Sequence, residues 1–340
     1  MPKNLNGEEY MKKMKRGKSG LKKVLVCNGT FMSTMGVVRS LGRKGVYVIV
    51  ADPSSLALCK YSKYCQKKVK CPDPENEPLF IKWLLLKAKK GEFDIFFPTS
   101  DLLMWYAYKF KRILNRYVEL NIPSKESLKI ALFKDLTYQA CVSFGMDTPK
   151  SFFPESFEEV KRLSREISYP IIIKPRTHVL IVNDRKAIMA NNIEELLSSY
   201  KLDRLKKTED NPKNKKFRWP IIQEFIPDSF DKVYNVDGFS NSSFDVVSII
   251  VNKKIRQRPT KVGVGVCVVN QSNPALALQT IDFQSISEKA ISPAGISLYG
   301  NMTSSRNKGA KRFPTISCAP ALGNPHKCRL PRFGQGMLPT

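Results

Sequence analysis

The chain has 340 residues, of which 42% are hydrophobic, so it is long enough for two or three domains with buried cores. Its longest apolar runs, such as residues 246–251, are far shorter than the roughly 18–20 residues that cross a bilayer. The charged N-terminus is not followed by an apolar signal region. We therefore expect a cytoplasmic protein without a membrane partner.

The net charge of +27 is concentrated at the two ends of the chain. Residues 1–23 hold eight basic and two acidic residues, and residues 289–340 hold eight basic residues and no acidic one. About half of the excess charge therefore lies outside the body of the protein. The remaining charge suits phosphate-bearing ligands or solubility alone.

The eight cysteines include no Cys-x-x-Cys pair, and the chain has only two histidines. Cys59, Cys65 and Cys71 are evenly spaced, but they lack the spacing of zinc ligands. We therefore predict reduced thiols and no metal site at these positions.

The first ordered segment has the pattern of a βαβ unit, which implies a parallel sheet. Its parts are a strand at 24–27, a turn at Asn28-Gly29, a helix at 33–43 closed by Gly45 and a strand at 46–52. Another strand at 93–101 ends in Thr99, Ser100 and Asp101. Open α/β sheets bind ligands at such strand ends, so these three residues are candidates for the substrate side.

A dinucleotide site after the first strand is weakly indicated. Asp52 ends the second strand, where an acidic residue can contact a ribose, but the pattern G-x-G-x-x-G is absent. The glycines present are Gly29 and Gly36, and we interpret them as structural.

The following segment alternates helices and strands. We predict helices over 124–145 and 156–168, a strand that ends at Lys174, and a short strand and helix within 186–200. A charged loop at 203–218 precedes three neighbouring antiparallel strands and a fourth, which we place at 219–226, 232–240, 244–259 and 262–269. After about residue 285 the composition, rich in Pro, Gly, Ser and Arg, predicts irregular structure.

The stretch YPIIIKP, residues 169–175, ends an apolar strand on Lys174. A lysine there is either solvated or directed at an anion. Lys134 lies in the preceding helix, and Gln223 and Glu224 lie between apolar residues on a later strand. Two lysines near a strand edge whose backbone can contact a purine would suit a triphosphate.

The order of LFKDLTYQACVSFGMDTPKSF, YPIIIKP, PIIQEFIP and VYNVDGFS resembles the ATP-grasp superfamily, and NKKIRQRPTKVGVGVCVVNQSNPAL is similar to its carboxylate–amine ligases, such as D-aspartate ligase and carbamoyl-phosphate synthase-like proteins. The resemblance covers roughly residues 22–285. It implies an α/β protein, α+β in its C-terminal half, with a Rossmann-like pre-ATP-grasp domain followed by an incomplete ATP-grasp fold. The implied divisions are a basic N-terminus at 1–21, the Rossmann-like domain at 22–122, the ATP-grasp domain at 123–285 (linker helix 123–148, subdomains 149–218 and 219–285) and a basic tail at 286–340.

The resemblance also implies site residues and chemistry. Lys134 and Lys174 would contact the phosphates of ATP; Gln223, Glu224, Phe225 and Ile226 would line the adenine slot, with backbone groups of Glu224 and Ile226 contacting the base. Asp231 would reach the ribose, and Arg256 would act as a catalytic residue that faces the phosphate or acyl-phosphate. The implied reaction joins an unidentified carboxylate to an unidentified amine through an acyl-phosphate. For Lys134 and Arg256 the alternative is a solvated surface residue.

The sequence departs from the family in the residues that would bind magnesium. The family holds Mg²⁺ with a late Glu and a Glu-x-Asn, whereas Asp282 and Glu288 are the only acids beyond Arg258, and Glu-x-Asn is absent there. The resemblance implies ATP as cofactor and leads us to expect Mg²⁺ for the family. The missing acids predict no metal ligands in this chain. We also hypothesise that the family's C-terminal part is replaced by an altered end, as a shifted reading frame would produce.

Two alternatives to a ligase stay open. One is a nucleotide-binding pseudo-enzyme. The other is a basic nucleic-acid-binding protein, for which residues 105–118 interleave aromatic and basic side chains. We do not favour nucleic acid because the same stretch is typical of a helix with an apolar face. A homo-oligomer is among the states that the sequence leaves open.

Overall fold

The computed structural model describes residues 21–143, 146–177, 179, 187–202, 219–226, 233–240, 246–258, 264–271, 300–303 and 315–318. Asp231, Asp282 and Glu288 lie outside these residues, as does the predicted loop at 203–218. Within the described part, no helix is both long enough and apolar enough to cross a membrane.

The N-terminal part forms a parallel sheet in the order β3-β2-β1-β4-β5. Its strands are β1 (Lys23–Val26), β2 (Tyr47–Asp52), β3 (Lys67–Lys70), β4 (Ile95–Phe97) and β5 (Glu119–Leu120). The helices in the connections are α1 (Met32–Arg43), a 3₁₀ helix (Leu58–Tyr61), α2 (Glu77–Lys89), α3 (Asp101–Lys109) and α4 (Lys111–Leu114). This arrangement is Rossmann-like, as predicted.

The central strands are buried on both faces, which is why their sequence is continuously apolar. Leu25 and Ile49 pack with Phe80 of α2 on one face of the sheet. Val24 and Val48 pack with helix α1 on the other face. The carboxyl ends of β1, β2 and β4 are therefore held at one edge by a core on each side.

The helix predicted over 124–145 is divided in two, α5 (Lys125–Leu132) and α6 (Lys134–Ser143). Phe133, between them, has an extended backbone with φ −116° and ψ 111°. The backbone N–H of Lys134 donates to the carbonyl of Arg176 at 2.9 Å instead of continuing the first helix. The break places Lys134 at the start of α6.

An antiparallel sheet follows, in the order β6-β9-β7-β8. Its strands are β6 (Ser151–Phe152), β7 (Ile171–Lys174), β8 (Ile188–Ala190) and β9 (Ile221–Glu224), and its helices are α7 (Phe157–Glu166) and α8 (Ile193–Leu202). Val160 of α7 and Leu196 of α8 pack against Ile171 and Ile173 in one core.

The sequence prediction grouped residues 219–226 with the strands that follow them, but β9 pairs with β7 and β6 instead. Apolar strands carry no mark of their partner in their own sequence, so chain order suggested the wrong neighbour. The consequence is that the strand containing Gln223 lies beside the strand containing Lys174.

A second antiparallel sheet has the order β12-β11-β10-β13-β14. Its strands are β10 (Val233–Ser240), β11 (Val246–Arg258), β12 (Val264–Asn270), β13 (Gly300–Thr303) and β14 (Thr315–Cys318). The last two fall in the tail for which the composition predicted irregular structure. Strand β13 pairs along β10 through backbone groups, which requires no apolar period in the tail.

Candidate functional site

The side chain of Lys174 is oriented by a neighbouring strand. Strand β7 alternates: Ile171 and Ile173 face the core, while Ile172 and Lys174 lie on the half-buried face. The Lys174 Nζ donates to Gln223 Oε1 at 2.6 Å, and Gln223 Nε2 donates to Ser151 Oγ at 2.8 Å. The strand thus ends on a lysine that a hydrogen-bonded chain across β7, β9 and β6 holds in place.

Lys134 reaches the same place from a different element. It is buried at the start of α6, and its Nζ donates to the carbonyl of Pro175 at 3.0 Å. Its backbone N–H donates to the carbonyl of Arg176. Lys134 therefore contacts the two residues that follow Lys174, although the two lysines are 40 residues apart in the sequence.

Arg176 holds this segment, and the sequence analysis did not select it. It is 2% exposed, and its Nη1 lies 3.6 Å from Asp135 Oδ2. Its Nε donates to the carbonyl of Trp219 at 2.9 Å, and its Nη2 donates to the carbonyl of Pro154 at 2.8 Å. The guanidinium thus links four chain segments. A charged residue directly after a strand-end proline was the available signal.

The predicted adenine-contacting segment lies at the end of β9. Glu224 is exposed, and Phe225 and Ile226 are half-buried. The backbone N–H of Glu224 donates to the carbonyl of Lys150 at 2.9 Å, so this N–H is engaged within the sheet. Of the backbone groups predicted to contact the base, the Glu224 N–H is therefore already engaged within the protein.

Arg256 lies elsewhere in the described fold. It is exposed on β11 opposite Cys267, between two irregularities of the register. The described contacts do not join it to Lys134 or Lys174. Its neighbour Lys254 is buried, and the Lys254 Nζ donates to Gln257 Oε1 at 2.9 Å.

Thr99 and Ser100, two of the predicted substrate-side residues, contact the end of β1. Thr99 Oγ1 donates to the carbonyl of Cys27 at 2.8 Å, and Ser100 Oγ accepts from Asn28 Nδ2 at 3.0 Å. Ser100 also caps α3, where its Oγ accepts from the Leu103 N–H, and Asp101 is the first residue of that helix. These side chains order the carboxyl edge of the parallel sheet.

Asp52 is engaged within the protein at this same edge. Its carboxylate accepts from both the N–H and the hydroxyl of Thr30 at 3.0 Å, and from the Ser54 N–H at 2.8 Å. These contacts give Asp52 a structural role and leave no support for a ribose contact.

A polar cluster that the sequence analysis missed lies on β10 and β11. Both Asp237 carboxylate oxygens accept from Asn235 Nδ2 at 2.9 Å, and Asp237 Oδ2 also accepts from Asn252 Nδ2 at 3.2 Å. Burial raises the pKa of the Asp237 carboxyl, and the two asparagine bonds oppose that rise. Alternation on β10 places Asn235 and Asp237 on one face of the strand.

In residues 105–118, the rings of Trp105 and Tyr106 pack internally, whereas Tyr117 is 43% exposed. Tyr106 is 3% exposed and its hydroxyl donates to the carbonyl of Pro74 at 2.9 Å. The rings of Trp105 and Phe133 meet edge to face with centroids 5.9 Å apart. Rings in such contacts are not free to stack on bases, which disfavours the nucleic-acid alternative.

Comparison with protein-family models finds no match, and no curated protein sequence matches the chain. Solved structures do. The biotin carboxylase domain of 2-oxoglutarate carboxylase from Hydrogenobacter thermophilus, a dimer in complex with MgADP, ADP and bicarbonate, matches with a TM-score of 0.60 and 14% identity, over 87% of this chain and 63% of that chain. N5-carboxyaminoimidazole ribonucleotide synthetase (purK), in an ADP complex, has a TM-score of 0.58 and 14% identity over 90% and 71% of the two chains.

The L-amino acid ligase from Bacillus licheniformis matches with a TM-score of 0.58 and 13% identity, over 87% of this chain and 65% of that one. The present chain thus spans about two thirds of the length of these proteins. At 13–14% identity, this likeness concerns the fold alone. The chain has the ATP-grasp fold.

Within this fold, the ends of β7 and β9 provide groups that suit a nucleotide. Two lysines and a strand end with backbone groups fit a nucleotide triphosphate. Among the described residues, no group of three His, Cys, Asp or Glu side chains could hold a metal ion.

Proposed function

We propose that this protein binds ATP at the ends of β7 and β9 and uses it to join a carboxylate to an amine. The observation that carries the proposal is the contact of Lys134 with the two residues that follow Lys174. In this reading Lys174, held by Gln223, and Lys134 face the phosphates. The Glu224 carbonyl and the Ile226 N–H contact the adenine edge, and Phe225 packs on the ring.

The proposed reaction has two steps, and the lysine ammonium groups assist the first. A carboxylate oxygen attacks the γ-phosphorus and ADP leaves, which gives an acyl-phosphate. The amine nitrogen then attacks the acyl carbon and phosphate leaves, which gives an amide. Fixed ammonium groups lower the barrier of the first step because they offset the negative charge on the phosphates.

The roles of the remaining candidates are part of the proposal. Thr99, Ser100 and Asp101, at the carboxyl edge of the parallel sheet, would form the substrate side. Arg256 would face the acyl-phosphate, and Asp231 would reach the ribose. The carboxylate and amine are proposed by class only. We also propose the domain limits 22–122 and 123–285, with the first sheet of the second domain extended to residue 224.

The test is calorimetric titration of a non-hydrolysable ATP analogue into the protein, Lys174→Ala and the control Lys161→Ala. Lys161 is an exposed lysine on α7, so its removal changes the net charge equally. We expect Lys174→Ala to weaken binding at least tenfold and Lys161→Ala to leave it unchanged. Equal effects of the two variants, or no binding to the unaltered protein, would refute the nucleotide site.

The second candidate function is nucleotide binding without ligation. It is favoured by one observation of the sequence, which has no Glu-x-Asn beyond Arg258. Titration with and without Mg²⁺ separates the two. A ligase requires binding that Mg²⁺ strengthens, whereas a pseudo-enzyme binds the analogue equally well in both conditions.

A further inference from the structure

A cavity near the amino edge of the parallel sheet lies between helix α1 and the loop that leads to strand β3. Helix α1 runs back across the sheet, so its last turns lie where strands β2 and β3 begin. The cavity has a volume of about 340 Å³, which is the size of a small-ligand site. Its lining residues are Arg39, Arg43, Tyr61, Ser62, Lys63 and Tyr64.

The lining of this amino-edge cavity is cationic and carries no acid. Arg39 and Arg43 are one helical turn apart, a spacing at which like charges repel. Within the described part of the chain, neither of them forms an ion pair, nor does Lys63. Residues 10–72 contain a single acid, Asp52, whose carboxylate is engaged with Thr30 and Ser54. A bound anion would relieve this repulsion.

A glycine shapes the wall of the cavity. A Cβ atom at position 42 would lie 2.3 Å from the Cβ of Tyr64, closer than any side chain tolerates. Glycine weakens a helix interior, yet at Gly42 it permits Tyr64 to pack directly against α1. The loop 61–64 is thereby held beside the two arginines.

The two tyrosine rings already carry cations on their faces. Lys68 Nζ lies 4.7 Å from the centroid of Tyr61, and Lys63 Nζ lies 5.3 Å from the centroid of Tyr64. Ring faces in such contacts are poor platforms for stacking a base, whereas the ammonium groups add positive charge near the cavity. The chemistry therefore favours phosphate over a nucleobase.

We propose that the amino-edge cavity binds a small phosphate-bearing anion. Arg39 and Arg43 offer planar guanidinium groups that match phosphate oxygens in pairs. Lys63 adds a third cation, and the Ser62 hydroxyl adds a donor, since its oxygen already accepts from the Tyr64 N–H at 3.3 Å. This site is independent of the proposed ATP site, which lies on β7 and β9.

The experiment titrates inorganic pyrophosphate into the full chain at constant ionic strength in chloride, without magnesium. We expect the double variant Arg39→Gln/Arg43→Gln to lose at least tenfold in affinity. The control Arg112→Gln/Arg116→Gln removes two exposed arginines of the same spacing and should stay within twofold. The ATP analogue should bind the Arg39/Arg43 variant as it binds the unaltered protein.

A second variant tests the shape of the cavity without removing charge. Gly42→Ala displaces Tyr64 and should also weaken pyrophosphate binding, with far-UV circular dichroism reporting that the fold is retained. Equal losses in both arginine variants would reduce the effect to net charge and overturn the proposal. So would loss of pyrophosphate binding in Lys174→Ala alone, absence of binding, or binding of a single-stranded oligonucleotide without binding of pyrophosphate.

Discussion

Arg176 is a buried charged side chain next to the candidate site. It is buried with Asp135, and two backbone carbonyls accept from its guanidinium. Removing one member of a buried ion pair leaves the other charge without compensation, which typically costs about 3–5 kcal/mol. The role of Arg176 is structural, since it fixes the segment that follows Lys174 and that Lys134 contacts.

We therefore predict that Arg176→Met lowers the free energy of unfolding by about 3–5 kcal/mol, measured by urea denaturation. Arg165→Met, at an exposed position on α7, should change it by less than about 0.5 kcal/mol. A loss below about 1 kcal/mol in Arg176→Met would contradict the role assigned to the buried pair.

Asp237 gives a prediction of pH dependence. Because its pKa in the folded protein is raised by burial, the folded state holds this proton more tightly than the unfolded state. Its contribution to stability is therefore largest at low pH and is lost as the pH rises through the raised pKa. Asn252→Ala removes a hydrogen bond to the ionised form and should raise the pKa further, as followed by NMR titration of the carboxyl carbon. An unchanged or lower pKa in that variant would be inconsistent with the geometry.

At the scale of elements, the breaks and caps of helices determine where the lysines lie. Helix α5 ends at Phe133, which places Lys134 at the start of α6. There its backbone N–H donates to the carbonyl of Arg176, just after β7, instead of to its own helix. Helix α7 begins as the sequence predicted, with the Ser156 Oγ accepting from the Glu159 N–H at 3.1 Å. The negative charges of Glu158 and Glu159, in its first turn, interact favourably with the positive end of the helix dipole.

The cap of α7 yields a direct test. Ser156→Ala leaves the Glu159 N–H without its side-chain partner and should cost about 0.5–2 kcal/mol of stability. Ser198→Ala, in the exposed part of α8, serves as the matched control. Urea unfolding of both variants decides the matter, and equal values would show that the cap contributes nothing.

For the whole molecule, the burial of the cysteines determines which thiols can react in the folded protein. Cys27, Cys59 and Cys71 are buried, and Cys267 is exposed. Burial raises the pKa of the Cys59 and Cys71 thiols to about 12, so their reactive thiolate forms are scarce at neutral pH. Folding therefore protects the thiols of the parallel sheet and leaves the thiol of β12 accessible.

In a thiol-reagent assay of the native protein at pH 8, we expect Cys267→Ser to remove one equivalent from the fast phase. Cys141→Ser, which alters a buried thiol, should leave the fast phase unchanged and remove one equivalent only after unfolding. A fast phase that shrinks in Cys141→Ser would mean that α6 opens readily in solution.

The sequence by itself determined the parts of this protein that depend on local pattern. Continuous apolar strands and capped helices predicted the Rossmann-like sheet, and the motif order predicted the ATP-grasp fold, which the comparisons support. Lys134, Lys174 and Gln223 were selected from residue type and order alone.

Only the tertiary structure decided which of these residues are neighbours. The pairing of β9 with β7 brought Gln223 onto Lys174, and a helix break brought Lys134 to Pro175. Asp237 and the amino-edge cavity carried no signal in their own segments, and the charge after the strand-end proline did not reveal the partners of Arg176, because each depends on contacts between residues distant in sequence. The physical reason is general: local propensity and burial period are written along the chain, whereas strand partners and charge pairing are fixed only when separate segments pack together.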